Sequence, residues 1–119
     1  MSRKLWYMPH KPQKLIIDIR NACEEIMVFT DGKGIEEFKS DRLLQLALER
    51  QFEIIGEALA RLDRIDHDNL ANTIPEYSKI ISFRNIIAHG YDIIDQDTLW
   101  DFAKERIPEL LEQVRSYKA

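Results

Sequence analysis

The sequence predicts an all-α protein, an antiparallel bundle of four to five helices in which the second helix is long. Apolar residues recur at three- and four-residue spacing along most of the chain, and no stretch alternates apolar and polar residues as a half-buried strand does. Only four Gly and four Pro interrupt 119 residues. A chain of this length with short connections fits a single helical domain, residues 1–119.

The first helix is predicted from Lys11 to Phe29. Its apolar stripe consists of Leu15 or Ile16, Ile19, Cys23 and Ile26. Gly32 follows directly and supplies the left-handed conformation that ends a helix. Cys23 lies on the stripe, so we expect a buried small hydrophobe and not a nucleophile.

The second helix is predicted from a cap at Ser40 to about Arg64. Its stripe consists of Leu44, Leu48, Ile55, Leu59 and Leu62. At 1.5 Å per residue it would extend about 37 Å, long enough to form the spine of a bundle. The sequence 66–69 breaks the pattern, and a short helical turn is expected around Leu70.

The third helix is predicted to begin at residues 73–76, with Thr73 and Glu76 as a capping box and Pro75 in the first turn. It carries Tyr77, Ile80, Ile81, Ile87 and Ala88. We expect it to stop at Gly90, because glycine readily adopts a positive φ.

The fourth helix is predicted to be capped by Asp95. Its inward-facing residues are Leu99 or Trp100, Ala103, Ile107, Leu110 and Val114. Pro108 interrupts this pattern and should kink or split the helix near Arg106, because the proline ring clashes with the preceding turn.

Charge and composition limit the classes of function. One Cys excludes an intrachain disulfide, and the short apolar runs exclude a spanning helix, so we expect a cytoplasmic protein with no membrane partner. The net charge of −4 argues against a tight duplex-DNA binder. Residues 1–20 carry five bases and one acid, whereas residues 92–112 carry seven acids and two bases. A polyanion should therefore contact the first half of the chain and residues 84–91.

Residues 84–91, Arg-Asn-Ile-Ile-Ala-His-Gly-Tyr, carry the side chains best suited to chemistry. Arg84 offers a fork of donors to a phosphate, Asn85 an orienting amide, and His89 a proton donor or acceptor. Five helical steps place Arg84 and His89 about 140° apart, so they share a site only if the helix ends at Gly90. RNA cleavage needs a base, an acid and a cation at the phosphate. A single chain offers one His for two proton transfers, whereas a two-fold dimer would supply two copies of these residues.

Arg84, His89 and Tyr91 in this spacing, together with the helix-two segment 50–58, resemble the HEPN superfamily and within it the HepT-type toxins. The resemblance covers essentially the whole chain. It implies a metal-independent endoribonuclease with a composite site in a homodimer, acting on RNA such as tRNA or mRNA without a cofactor. It also implies a type VII-like toxin–antitoxin system, in which a nucleotidyltransferase antitoxin transfers AMP to Tyr91.

Other interpretations remain open. The chain could be a non-catalytic helical module that binds a nucleotide or a partner beside a nucleotidyltransferase, or a helical dimerisation unit. Helix two also carries a stripe of charged residues, which consists of Arg50, Glu53, Glu57, Arg61 and Arg64. This stripe is either a solvated face, or it places Arg50 and Glu57 beside the third helix, which carries Arg84. His67 lies between Asp66 and Asp68, but adjacent loop residues do not converge on a metal, so no metal site is predicted.

Overall fold

A computed structural model describes residues 11–88 and 95–118, and all regular elements within them are helical. The elements are α1 Pro12–Thr30, α2 Ile35–Lys39, α3 Arg42–Ile65, α4 His67–Thr73, α5 Tyr77–Ala88, α6 Gln96–Asp101, a π-helical turn Phe102–Arg106, and α7 Ile107–Arg115. The all-α class and the long second predicted helix, here α3, are confirmed. In the described part of the chain, no helix is both long and apolar enough to cross a membrane.

Helix α3 is the centre of the molecule, because α1 packs on one of its sides and α5 on another, while α7 packs on α1. Every apolar residue predicted for the α3 stripe is buried, as are Ile19, Cys23 and Ile26 of α1. The predicted burial of Cys23 is confirmed, and burial raises the pKa of its thiol to about 12.

Phe52 does not belong to the predicted stripe of the long helix, yet it is 1% exposed. Its ring meets Phe83 and Phe102 edge-to-face, with centroids 5.3 and 5.4 Å away. Phe83 and Phe102 themselves stack at 4.4 Å. This aromatic cluster joins α3, α5 and the π turn, and it holds α5 in place on the long helix.

The predicted cap at Ser40 is wrong. The Ser40 hydroxyl donates to the carbonyls of Glu36 and Glu37, at 3.2 and 3.1 Å, and so closes the preceding helix α2. Asp41 caps α3, since its carboxylate accepts from the Leu44 amide at 3.1 Å. Two good capping residues stand side by side in the sequence, and the unpredicted helix α2 takes the first.

The predicted capping box at Thr73 is also wrong. Thr73 is the last residue of α4, and its hydroxyl donates to Asn69 Oδ1 at 3.2 Å. Helix α5 begins at Tyr77, four residues later. Glu76 pairs instead with Lys79 at 3.1 Å and Arg106 at 3.4 Å. These cations bind a carboxylate more strongly than the neutral backbone amide of Thr73 would.

Several local predictions are confirmed. Gly32 has a φ of 70°, the left-handed conformation expected after the first helix. The Asp95 carboxylate accepts from the Asp97 amide at 3.1 Å and from the Thr98 hydroxyl at 2.9 Å. The last helix is irregular near Arg106, the place that Pro108 predicts: residues 102–106 form a π turn, and the backbone stays helical into α7. Widening that turn accommodates the missing proline N–H.

Candidate functional site

A cleft of about 390 Å³ lies between α1, α3 and α5. Its charged lining residues are Asp18 of α1, Arg50, Glu53, Glu57 and Arg61 of α3, and Arg84 of α5. All residues of the charged stripe of α3 except Arg64 therefore lie on one wall of a concave site.

Two hydrogen bonds fix the guanidinium of Arg84 in this cleft. One terminal nitrogen of its guanidinium donates to Glu57 Oε2, and the other donates to Asn85 Oδ1 at 2.8 Å. The Arg84 side chain is 26% exposed, so the two contacts fix a guanidinium that still faces the surface. Each terminal nitrogen carries two N–H groups, so one donor on each remains for a ligand.

Gly56 allows Arg84 to reach this position. A Cβ atom added to Gly56 would lie 2.2 Å from the Arg84 Cβ and 2.4 Å from its Cγ. The Arg84 side chain therefore crosses α3 directly over the glycine backbone. Glycine within a helix costs roughly 0.5–1 kcal/mol relative to alanine. A glycine kept inside a strong helical pattern was the sequence signal that could have indicated this contact.

Glu57 is oriented by a second arginine. Its Oε1 accepts from Arg61 Nε at 3.1 Å, while Oε2 accepts from Arg84. Glu57 and Arg61 thus form an ion pair with the i,i+4 spacing of neighbours on one helix face. The two side chains of that pair are 42% and 44% exposed, so the pair contributes to orientation more than to stability.

The arrangement brings together some predicted site residues. Arg84, Asn85 and Glu57 form one hydrogen-bonded group, and Arg50 lines the same cleft. The Asn85 amide oxygen is used on Arg84, and its NH₂ group contacts no side chain or carbonyl of residues 11–88 and 95–118 at hydrogen-bond distance. Arg84 Nε is buried and has no hydrogen-bond partner in the described part of the chain. Such an unsatisfied donor is uncommon in folded proteins and more typical of functional sites.

Other predicted site residues, His89 and Tyr91, lie outside the described residues, as does the predicted helix stop at Gly90. The relation between Arg84 and His89, and the position of Tyr91, therefore remain predictions from the sequence.

His67 forms a separate polar group away from the cleft. Its Nδ1 lies 2.7 Å from Asp63 Oδ1 and 3.5 Å from the Tyr77 hydroxyl. The Asp63 hydrogen bond raises the pKa of His67, and the same bond lowers the pKa of Asp63. Across residues 11–88 and 95–118, no three His, Cys, Asp or Glu side chains are grouped so as to hold a metal ion.

Comparison with known proteins identifies similar chains. The model of a family described as "Ribonuclease HepT-like" matches residues 19–117. A "Probable ribonuclease HepT" of Thermococcus cleftensis is 37% identical over 93 residues, 78% of this chain and 83% of that protein. A protein of Methanocaldococcus jannaschii, provisionally named as an RNase, is 29% identical over 99 residues, 83% of this chain and 89% of its own.

A further relative comes from Caldanaerobacter subterraneus and also carries a provisional RNase name. It is 29% identical over 104 residues, which cover 87% of this chain and 91% of that protein. No solved structure matches the chain significantly.

Proposed function

This chain belongs to the HepT-like ribonuclease family, and on that basis we propose that it is an endoribonuclease that cleaves RNA without a metal ion. One observation carries the proposal. Arg84 is held by Glu57 and Asn85 at the edge of a cleft, with donors left for a phosphate. A guanidinium oriented in advance in this way is suited to stabilise a phosphorane as its charge develops.

In the proposed reaction, the ribose 2′-oxygen attacks the adjacent phosphorus while a His89 imidazole takes its proton. The bond from phosphorus to the 5′-oxygen breaks, and a protonated His89 gives that oxygen a proton. The products are a 2′,3′-cyclic phosphate and a 5′-hydroxyl. Arg84 neutralises charge on the non-bridging oxygens, the task that a metal ion performs in other nucleases.

The two proton transfers suggest that the working unit is a homodimer with a composite site. One imidazole cannot accept and donate a proton in the same step, whereas two copies of residues 84–91 related by a two-fold axis supply both. Light scattering of the purified chain tests this, and a monomer at working concentration would contradict it.

We also propose that the chain is a toxin silenced through Tyr91. AMP on this phenol would place bulk and negative charge two residues from His89, where they oppose an RNA phosphate. The expected antitoxin is a nucleotidyltransferase encoded beside the gene. Incubation with that enzyme and ATP should add the mass of one AMP to the wild type and none to Tyr91→Phe. Modification of both proteins would exclude Tyr91 as the sole acceptor.

The central test is cleavage of cellular RNA by the purified protein in excess chelator. The wild type should cut, and Arg84→Ala and His89→Ala should lose at least about a hundredfold in rate, since each removes a transition-state interaction. Arg64→Ala is the matched control, because it removes an exposed arginine of α3 outside the cleft. Cleavage that persists in both site variants, or that chelation abolishes in the wild type, would refute the mechanism.

The ion pair with Glu57 favours one alternative function. The Glu57 carboxylate partly neutralises the charge of Arg84 and so weakens its stabilisation of a negatively charged transition state. Such a pair suits a protein that binds a nucleotide without cleaving it. Nucleotide affinity that is lost in Arg84→Ala, with intact RNA at every protein concentration, would favour this alternative.

A further inference from the structure

Arg50 differs from the other arginines of the cleft. Arg61 and Arg84 both pair with Glu57, and Asp18 pairs with Lys14 at 2.5 Å. Arg50 is exposed, lines the cleft, and makes no hydrogen bond or ion pair within the described ranges 11–88 and 95–118. Its donors are therefore available to an anion that enters the cleft.

The size of the cleft limits what can enter. About 390 Å³ is near the lower end of pockets that hold a small ligand, which run from about 300 to 1,000 Å³. Leu15, Ile54 and Ala58 supply an apolar floor beside the charged wall. One unpaired nucleotide fits such a site, with its base on the apolar floor. A base still stacked and paired in a duplex cannot enter it.

The two cations reach the cleft from different points along α3. Arg50 and Glu57 are seven residues apart on α3, two helical turns or about 10.5 Å along its axis. Because Glu57 holds Arg84, the Arg84 guanidinium lies beside this part of α3, and both arginines line the cleft. Both side chains are long enough to reach toward a nucleotide placed between them.

We propose that Arg50 binds the phosphate next to the scissile one in an unpaired RNA segment, and that the nucleotide between these phosphates occupies the cleft. The inference rests on the proposed function, because Arg84 marks the scissile phosphate. Glu53 lies three residues from Arg50 in the same cleft and opposes the bound phosphate. It limits affinity, which permits release of the product.

The test uses a labelled unpaired RNA oligonucleotide and the full chain carrying His89→Ala, so that bound RNA is not cut. Affinity is measured by fluorescence anisotropy over a range of salt concentrations. Adding Arg50→Gln should weaken binding several-fold and reduce the slope of log affinity against log salt by about 0.7, one single-strand phosphate contact. Glu53→Gln should tighten binding. Arg64→Gln, the matched control on α3, should leave the slope unchanged.

Equal slopes for Arg50→Gln and Arg64→Gln would overturn the inference, as would equally tight Arg50-dependent binding of a duplex of the same sequence. Failure of His89→Ala to bind RNA would overturn it too. Wild-type protein that binds with the expected Arg50 dependence but never cuts contradicts only the ribonuclease proposal, and the cleft then remains an RNA-binding site. Circular dichroism of each variant confirms that the helices are intact.

Discussion

At the scale of single residues, the cleft depends on the contact between Gly56 and Arg84. The Arg84 side chain extends from α5 across Gly56 and donates a hydrogen bond to Glu57, the next residue of α3. Its Cβ and Cγ occupy the space that any other residue at position 56 would need. In the proposed reaction Gly56 is thus a positioning residue, because it would act only through Arg84.

We predict that Gly56→Ala impairs cleavage strongly while the protein remains folded. The added methyl group overlaps Arg84 and displaces its guanidinium, and a misplacement of about 1 Å can cost on the order of a hundredfold in rate. The measurement is RNA cleavage at saturating and limiting substrate, with helicity followed by circular dichroism. Gly34→Ala is the matched control, since a Cβ there meets nothing within 4 Å. Equal activity of both variants would contradict the role of Gly56.

At the scale of secondary-structure elements, some helix ends are set by residues close in sequence and others by the packing of another helix. Gly32 and Asp95 act within a few residues of themselves, and both perform as predicted. Whether Ser40 or Asp41 caps the long helix depends on whether the five residues 35–39 form a helix of their own. They do so because Phe38 is completely buried and packs on Trp100 at a centroid distance of 5.0 Å.

We predict that Asp41→Ala lowers the free energy of unfolding by about 1 kcal/mol, the usual effect of losing an N-cap. Its carboxylate satisfies the Leu44 amide at the start of the central helix. Ser40→Ala should have a smaller effect, because its hydroxyl contacts exposed carbonyls of a five-residue helix. Urea unfolding of the two variants gives the comparison, and a larger loss for Ser40→Ala would contradict the assignment.

The junction of α3 and α4 should be sensitive to pH. The pKa of His67 is raised by the Asp63 hydrogen bond, so its stabilising effect is complete below the unfolded pKa and is lost as pH rises through the folded value. The lowered pKa of Asp63 adds stability that is lost as pH falls through its own folded value. The pair should therefore stabilise the protein most between about pH 4 and 6.5.

Thermal unfolding at pH 5.5 and 8 tests this pair. The wild type should show a small decrease in Tm at the higher pH that His67→Gln lacks. Both groups are substantially exposed, at 60% and 37%, so a change of a few degrees at most is expected. An identical pH dependence in wild type and variant would show that His67 does not contribute.

At the scale of the whole molecule, α5 is held chiefly by its packing on α3 and by the aromatic cluster. The helix that carries Arg84 and leads into His89 therefore depends on contacts between residues far apart in the chain. Phe83 is the aromatic residue that α5 itself contributes to these contacts.

We predict that Phe83→Ala lowers the free energy of unfolding by about 2–3 kcal/mol, less than for a fully buried ring because Phe83 is only partly buried. Cleavage should fall as well, since α5 loses the contact that fixes its distance from α3. Phe83→Leu should recover most of the stability. The same urea series measures both variants, and an unchanged unfolding midpoint for Phe83→Ala would contradict the importance of the cluster.

The sequence by itself determined the helical class, the buried stripes, the stop at Gly32, the cap at Asp95 and the irregular turn before Pro108. These features depend on the 3.6-residue period and on contacts within about one turn, so the local order of residues is sufficient. Tertiary structure alone decided that Glu57 holds Arg84 across 27 residues and that Gly56 makes room for it. Such contacts depend on how closely two helices approach and in what register, which is settled only when all the side chains of the core are packed together.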